Sequence, residues 1–387
     1  MIAILRAMRP MRVLLFMCCA VLLHTVPPAY GAGTGISPRV RPWVPPGFDS
    51  LQTWAAEARA EFRDQPRDAI DSVTVIPYNR AGAIAVRWMR SLGRSAATQA
   101  KPIELALDSL GFDTEIVTDP VLPNFMLLVV RNPFRLTASA MAYLFWYRGD
   151  RVMQQGVELR GGQSPQMRVW WSGERDAPYK WALLDRSRGD VTVMRFMLFK
   201  LTADGGLWRP AQYEGQGPNL GNAHSATLSD INGDGLPELV AWSAARADTM
   251  FEACIGCPRR LIENIYVERK DEGFGLHDSR LVSSPYSMFV LFIRFLVDNN
   301  RAAAARLLDD PAKLGEAIAM GWGTRSSPGT WKLEQSENER WPRWLQFRFR
   351  GARGIERYVV RFKQKDGRWI IENWKRAATP ATRDTSR

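Results

Sequence analysis

Asp230-Ile231-Asn232-Gly233-Asp234-Gly235-Leu236-Pro237-Glu238 stands past the middle of a 387-residue chain and sets the terms for the residues around it. Oxygen-bearing side chains fall on alternate residues from Asp230 to Asp234, and another follows at Glu238. A hard cation such as Ca²⁺ takes roughly six to eight oxygen ligands, and alternate residues of a coiled loop can point inward together. Asp230, Asn232, Asp234 and Glu238 would then supply side-chain ligands, and Leu236 its carbonyl. Gly233 and Gly235 permit the left-handed backbone that such a wrap needs. The usual EF-hand is excluded, because the twelfth position is Ala241 where that loop requires a bidentate glutamate. The same residues also suit an Asx-rich hairpin turn that holds no metal.

The segments on either side read as β structure. Candidate strands cover residues 125–131, 139–147, 152–160, 167–171, 180–185, 191–201, 239–243 and 263–269, rich in aromatic and β-branched side chains. Three hairpins repeat one plan of strand, glycine turn and return strand. Tyr143 to Tyr147 leads through Arg148-Gly149-Asp150 to Val152, and Arg195 to Leu201 leads through Asp204, Gly205 and Gly206 to Trp208. Asn264 to Lys270 leads through Asp271, Glu272 and Gly273 to Phe274. Hairpins of this kind form the outer part of a propeller blade.

On those residues, the loop and the strand after it resemble the calcium loop of FG-GAP/VCBS repeats, the blade units of integrin-type propellers. Glu238 stands where that family usually has aspartate. One repeat, residues 222–282, carries the motif, and the earlier units share the hairpin without the acids. The resemblance implies a bound calcium ion and a β-rich, propeller-like region over residues 117–282. Two or three such units are too few to close a ring of about four or more blades, so an incomplete, propeller-like assembly of antiparallel sheets is expected.

The rest of the chain frames this region. Arg6, Arg9 and Arg12 precede an apolar run over residues 13–26, and the small residues Ala29 and Gly31 follow at the minus-three and minus-one positions, which predicts a secretory signal peptide cut after Gly31. The run is shorter than the roughly 20 residues of a membrane span, and the mature chain is expected to contain no transmembrane span. Export points to a periplasmic or secreted protein. It also makes Cys254 and Cys257 the cysteines of the mature chain, spaced for a small structural disulfide. The net charge is +12, but arginines are scattered singly, and with export this argues against nucleic acid. Residues 32–48 read as a Pro/Gly-rich linker and 49–116 as an N-terminal helical cap. One helix begins at Asp49 or Ser50, buries Leu51, Trp54, Ala55, Ala58 and Phe62, and is closed by Pro66. Residues 73–76 are β-like, 84–89 look helical, and another helix over 102–110 has Pro102 in its first turn.

Residues 283–377 change character. Helices over 285–299, 302–308 and 312–320 precede strands over 330–334, 344–350, 356–364 and 369–374, with a hairpin turn at Lys365-Asp366-Gly367-Arg368. This order resembles the cone-shaped α+β fold of nuclear-transport-factor-like and SnoaL-like domains. That resemblance implies an apolar pocket and, in some members, isomerase or hydrolase chemistry on an Asp–His or Asp–Tyr pair. No histidine follows His277, and Asp298, Asp309 and Asp310 fall at helix ends where capping accounts for them. Tyr286, Tyr358, Trp322, Trp331, Trp369 and Trp374 suit packing better than a ligand wall. His224, a few residues before the calcium-type loop, reads as an ordinary strand residue. Residues 378–387 form a polar tail expected to be disordered. No G-x-S-x-G, H-E-x-x-H or phosphate-cradling loop occurs, and no residue is assigned a catalytic role.

The expectation from the sequence is therefore a mainly β protein with an N-terminal helical cap and a C-terminal α+β cone. It is an exported, calcium-binding, non-catalytic envelope protein that meets a protein partner, an envelope component or another ligand. The alternative is a hydrolase or isomerase with its active site in the C-terminal cone.

Overall fold

The computed structural model describes residues 48–65, 70–92, 96–135, 139–186, 194–202, 208–210, 218, 220, 223–252, 258–269, 273–324, 328–339 and 341–377. The expected signal peptide, the linker before Phe48, Pro66, the two cysteines and the polar tail lie outside the described residues. Three helices come first: α1 (Phe48–Asp64), α2 (Ile76–Leu92) and α3 (Ala96–Ser109). α1 buries Leu51, Ala55, Ala58 and Phe62 at helical spacing, but Trp54 is 42% exposed and does not share that face.

Two expectations for this region are corrected. Residues 73–75 form a turn instead of a strand, because Asp71 Oδ1 accepts from the backbone N–H of Val73 at 2.9 Å and of Thr74 at 2.7 Å. That turn leads into α2, which begins at Ile76. Pro102 lies well inside α3 and not in its first turn. The helix holds there through tertiary packing, with Ile103 and Leu107 buried against the sheet below.

The protein is mainly β, in four antiparallel four-stranded sheets whose strands are neighbours in chain order. The first sheet holds β1 (Asp113–Thr118), β2 (Phe125–Arg131), β3 (Ala140–Arg148) and β4 (Arg151–Leu159). The second holds β5 (Gln166–Trp171), β6 (Tyr179–Arg186), β7 (Met194–Leu201) and β8 (Trp208–Pro210). The third holds β9 (Ala223–Ser229), β10 (Glu238–Ala244), β11 (Leu261–Arg269) and β12 (Gly273–Leu281). The three repeated hairpins of the sequence are β3–β4, β7–β8 and β11–β12, the last two strands of each sheet.

Alternation of side chains explains how these sheets pack. Met126, Leu128 and Val130 face the three helices, while Leu127 and Val129 face Trp181, Leu183 and Phe199 of the second sheet. Every residue of β2 is buried, as expected of a strand covered on both faces. The opposite face of the second sheet, with Ala182, Leu184 and Leu198, meets Leu228, Leu239 and Ala241 of the third. Each large side chain fully buried this way contributes about 1.5–3 kcal/mol. Polar ties fix the stagger: Asp119 Oδ2 accepts from Val169 N–H at 2.8 Å, and Gln166 Oε1 accepts from Leu228 N–H at 2.9 Å. Glu268 bridges the second and third sheets by accepting from Lys180 at 2.5 Å and Trp170 Nε1 at 3.1 Å.

The C-terminal part has helices before a sheet. α4 (Pro285–Val297) starts at a Ser284 cap, whose Oγ accepts from Ser287 N–H at 3.1 Å. α5 (Arg301–Ala305) is capped by Asn300, and a short 3₁₀ turn over Pro311–Lys313, capped by Asp310, precedes α6 (Leu314–Ala319). The expected third helix is thus split at its start. The fourth sheet holds β13 (Trp331–Ser336), β14 (Trp344–Gly351), β15 (Gly354–Lys365) and β16 (Arg368–Arg376). Asp366 and Gly367 form the tight turn between the last two strands with φ of 50° and 74°. Among the described residues, no helix is long and apolar enough to cross a membrane.

Candidate metal centre

The quoted loop is the turn between β9 and β10, closed where Glu238 pairs with Ser229. Its backbone curls around its own side chains. Asp230 accepts from Gly233 N–H at 2.7 Å through Oδ1 and from Gly235 N–H at 3.0 Å through Oδ2. Asn232 Oδ1 accepts from Asp234 N–H at 2.8 Å, Asp234 Oδ1 from Leu236 N–H at 2.8 Å, and Glu238 Oε2 from Ile231 N–H at 2.8 Å. Gly233 and Gly235 have φ of 78° and 87°, and an added Cβ would meet nothing within 4 Å at either. Glycine is required there by backbone conformation and not by space.

The Asn232 amide is the centre of the arrangement. Its Nδ2 donates to Glu238 Oε1 at 2.7 Å and to Asp234 Oδ2 at 3.0 Å. Two carboxylates are therefore drawn to one donor. Glu238 is 3% exposed, whereas Asp230, Asn232, Asp234 and Leu236 are exposed. The donor set of three carboxylates and an amide oxygen is that of a hard-cation site. In the hydrogen-bonded form described here, no group of three or more His, Cys, Asp or Glu side chains among the described residues is gathered closely enough to hold a metal ion. A cation would have to displace the Asn232 Nδ2 contacts. His224 is at the opposite end of β9 from the loop and is exposed.

Cys254 and Cys257 lie outside the described residues, but the chain on their N-terminal side is anchored. Phe251 pairs with Trp331 at the edge of the fourth sheet, and Glu252 N–H donates to the Trp331 carbonyl at 2.7 Å. The Glu252 carboxylate meets Lys332 at 2.8 Å and Arg348 at 2.9 Å, contacts that hold its carboxyl below the usual range. Asp248, almost fully buried, meets Arg294 of α4 at 3.0 Å. The β10–β11 connection thus docks on the C-terminal helix and sheet.

The interior of the C-terminal part is filled with rings. Phe289 and Phe347 stack with centroids 4.1 Å apart, and Trp322 stands 5.2 Å from Trp331 and 5.0 Å from both Tyr358 and Trp374. Tyr358 O–H donates to Glu356 Oε2 at 2.6 Å. Burial, with that bond adding to it, pushes the Tyr358 phenol up to about 12, so it remains a protonated donor at neutral pH. Glu356 is itself neutralised by Arg376 at 2.9 Å. This pair has the chemistry of a packed structural contact. Asp310 caps its helix, and Asp309 pairs with Lys363 at 2.7 Å.

The sequence reasoning placed no site at Trp341-Pro342-Arg343-Trp344, although two tryptophans flanking an arginine at a strand entrance were a visible signal. The structure opens a groove of about 710 Å³ beside that segment. Compared with protein-family models, with curated proteins and with solved structures, the chain matches none.

Proposed function

We propose that this is an exported, non-catalytic binding protein of the cell envelope, whose third sheet is an FG-GAP/VCBS-type unit stabilised by one calcium ion. The observation that carries this reading is the loop in which Asn232 brings Asp234 and Glu238 together beside Asp230. Asp230, Asn232, Asp234 and Glu238 would hold the ion with the Leu236 carbonyl. Calcium would supply a fixed divalent charge that neutralises the carboxylates and locks the β9–β10 turn. The C-terminal α+β part, its interior filled by aromatic rings, is the surface that meets a ligand or protein. Export rests on the basic and apolar pattern of residues 1–31. Cys254 and Cys257 form a short-range disulfide in this account, countable by thiol titration of the unfolded chain before and after reduction.

Thermal unfolding in chelator and in excess calcium tests the proposal. Calcium at about 100 times its dissociation constant adds about 2.7 kcal/mol to the folded state. The melting temperature rises accordingly in the wild type, and Asp234→Ala abolishes the difference. Wild-type unfolding that is the same in chelator and in calcium contradicts the proposal.

A further inference from the structure

The groove beside Trp341 lies between Glu337, Glu339, Trp341 and Arg343 on one side and strands β14, β15 and β16 on the other, and its size falls within the roughly 300–1,000 Å³ of small-molecule sites. Three indoles line it. Trp341 on the loop is 38% exposed, Trp344 at the start of β14 is half-buried, and Trp369 at the start of β16 is 8% exposed. Trp369 packs into the aromatic interior, but Trp341 and Trp344 take no part in that core.

Charge in the groove is arranged without being cancelled. Arg361 stands directly across from Trp344 in the strand register, and Arg343 is next to Trp344 in the chain. Both are exposed, and neither guanidinium makes an ion pair or hydrogen bond with another described residue. Glu339 and Glu372 line the same space, likewise without a cationic partner among the described residues. Glu372 is brought there by a bulge: Arg361 pairs with Asn373 and Phe362 with Ile371, which leaves Glu372 as the extra residue. Bulges re-aim side chains in this way.

The wall of the groove is fixed in advance. Phe362 N–H donates to the Arg343 carbonyl at 2.8 Å, Arg343 N–H donates to Glu337 Oε2 at 2.8 Å, and Pro342 is buried. A pre-organised wall reduces the entropy that binding must overcome.

The chemistry selects the ligand. Lys363 is already paired with Asp309, so Glu337, Glu339 and Glu372 oppose Arg343 and Arg361. A polyanion would meet three carboxylates, and a polycation would meet two guanidiniums. A pyranose ring suits both features, with a C–H face to lie on an indole and hydroxyls that donate to carboxylates and accept from guanidiniums. We infer that this groove binds a neutral oligosaccharide, with sugar rings on Trp341 and Trp344 and hydroxyls shared among Arg343, Arg361, Glu339 and Glu372. The inference rests on the reading of the C-terminal part as the binding surface and is independent of the calcium loop.

The test uses the full chain and three probes: neutral β-1,4-linked hexasaccharides of glucose, N-acetylglucosamine and mannose. Calorimetry and tryptophan fluorescence are followed in calcium and in chelator. At least one hexasaccharide binds with a dissociation constant of about 1 mM or tighter. Trp341→Ala and Arg361→Ala each weaken it by roughly tenfold or more, and Arg361→Ala does so with an unchanged melting temperature, because that side chain is exposed and unpaired among the described residues. Trp171→Ala, which removes an indole 62% exposed on the second sheet, leaves binding unchanged. Saccharide binding that persists in a protein unaffected by calcium upholds this inference while the calcium proposal fails. Absence of binding by all three probes at about 10 mM, or wild-type affinity in Trp341→Ala, overturns it.

Discussion

Replacing Asn232 with aspartate exchanges the donor at the heart of the β9–β10 loop for a fourth carboxylate. Asn232 Nδ2 now bonds Glu238 Oε1 at 2.7 Å and Asp234 Oδ2 at 3.0 Å. The first bond matters more, because Glu238 is 3% exposed and has little water to turn to. A hydrogen bond to a charged group contributes about 1.5–3 kcal/mol, and the exposed Asp234 adds little. Repulsion from the new carboxylate works in the same direction, so Asn232→Asp without metal is less stable by about 2–3 kcal/mol. In a chain of this size that lowers the melting temperature by roughly 3–4 °C. Calcium reverses the sign of the effect, since a fourth carboxylate strengthens an oxygen site for a hard cation. Circular dichroism melts of both proteins in chelator and in excess calcium read both halves. The variant loses stability in chelator and recovers more than the wild type gains when calcium is added. If the variant melts with the wild type in chelator, the amide is not holding the loop. If it is weakened and calcium restores nothing, the loop does not take a cation.

Two further outcomes follow from the packing. Trp322→Ala removes the ring that touches Phe289, Phe292, Trp331, Tyr358 and Trp374, and costs about 3–5 kcal/mol in urea unfolding; a loss below about 1 kcal/mol would mean that the aromatic interior is not close-packed. Burial pushes the carboxyl of Asp185 above the ordinary range, against the pull of the Arg160 N–H that donates to it at 2.6 Å. The folded state then holds this proton more tightly than the unfolded chain. Its stabilising contribution is complete below the unfolded value of about 3.9 and is lost as pH rises through the raised folded value. Asp185→Asn keeps an acceptor for Arg160, removes that pH dependence and is at least as stable as the wild type at pH 7; stability measured by denaturant from pH 3 to 7 shows it, and parallel curves for the two proteins would count against it.

Strands buried on both faces announced themselves in the sequence. Phe125–Val130 is a continuous apolar run between helices and a second sheet, and the expected strand over residues 125–131 is found as β2 with those bounds. β12 was marked in the sequence at its start alone, as the return strand after Gly273: beyond Phe274 most of its residues are exposed and polar, so neither alternation nor an apolar run carries the pattern to its end. Residues 73–75 carry β-branched side chains, yet the Asp71 carboxylate captures their backbone N–H groups and turns the chain into α2. The Asp–Asn–Asp–Glu order gave the loop's position and its need for glycine, since both depend on local backbone conformation. It could not give the Asn232 amide bridging Asp234 and Glu238, because amide orientation is set by the folded hydrogen-bond network. The groove at Trp341 was legible as the Trp341–Trp344 segment alone, for a related reason. Its lining comes together through strand register and a bulge, and sequence spacing carries neither.

Equilibrium dialysis of the chelator-treated protein against buffered calcium, with the bound metal measured by atomic emission, addresses the β9–β10 loop most directly. One calcium ion per chain in the wild type and none in Asp234→Ala is the outcome predicted. No bound calcium in the wild type, or the same amount in both proteins, contradicts the account.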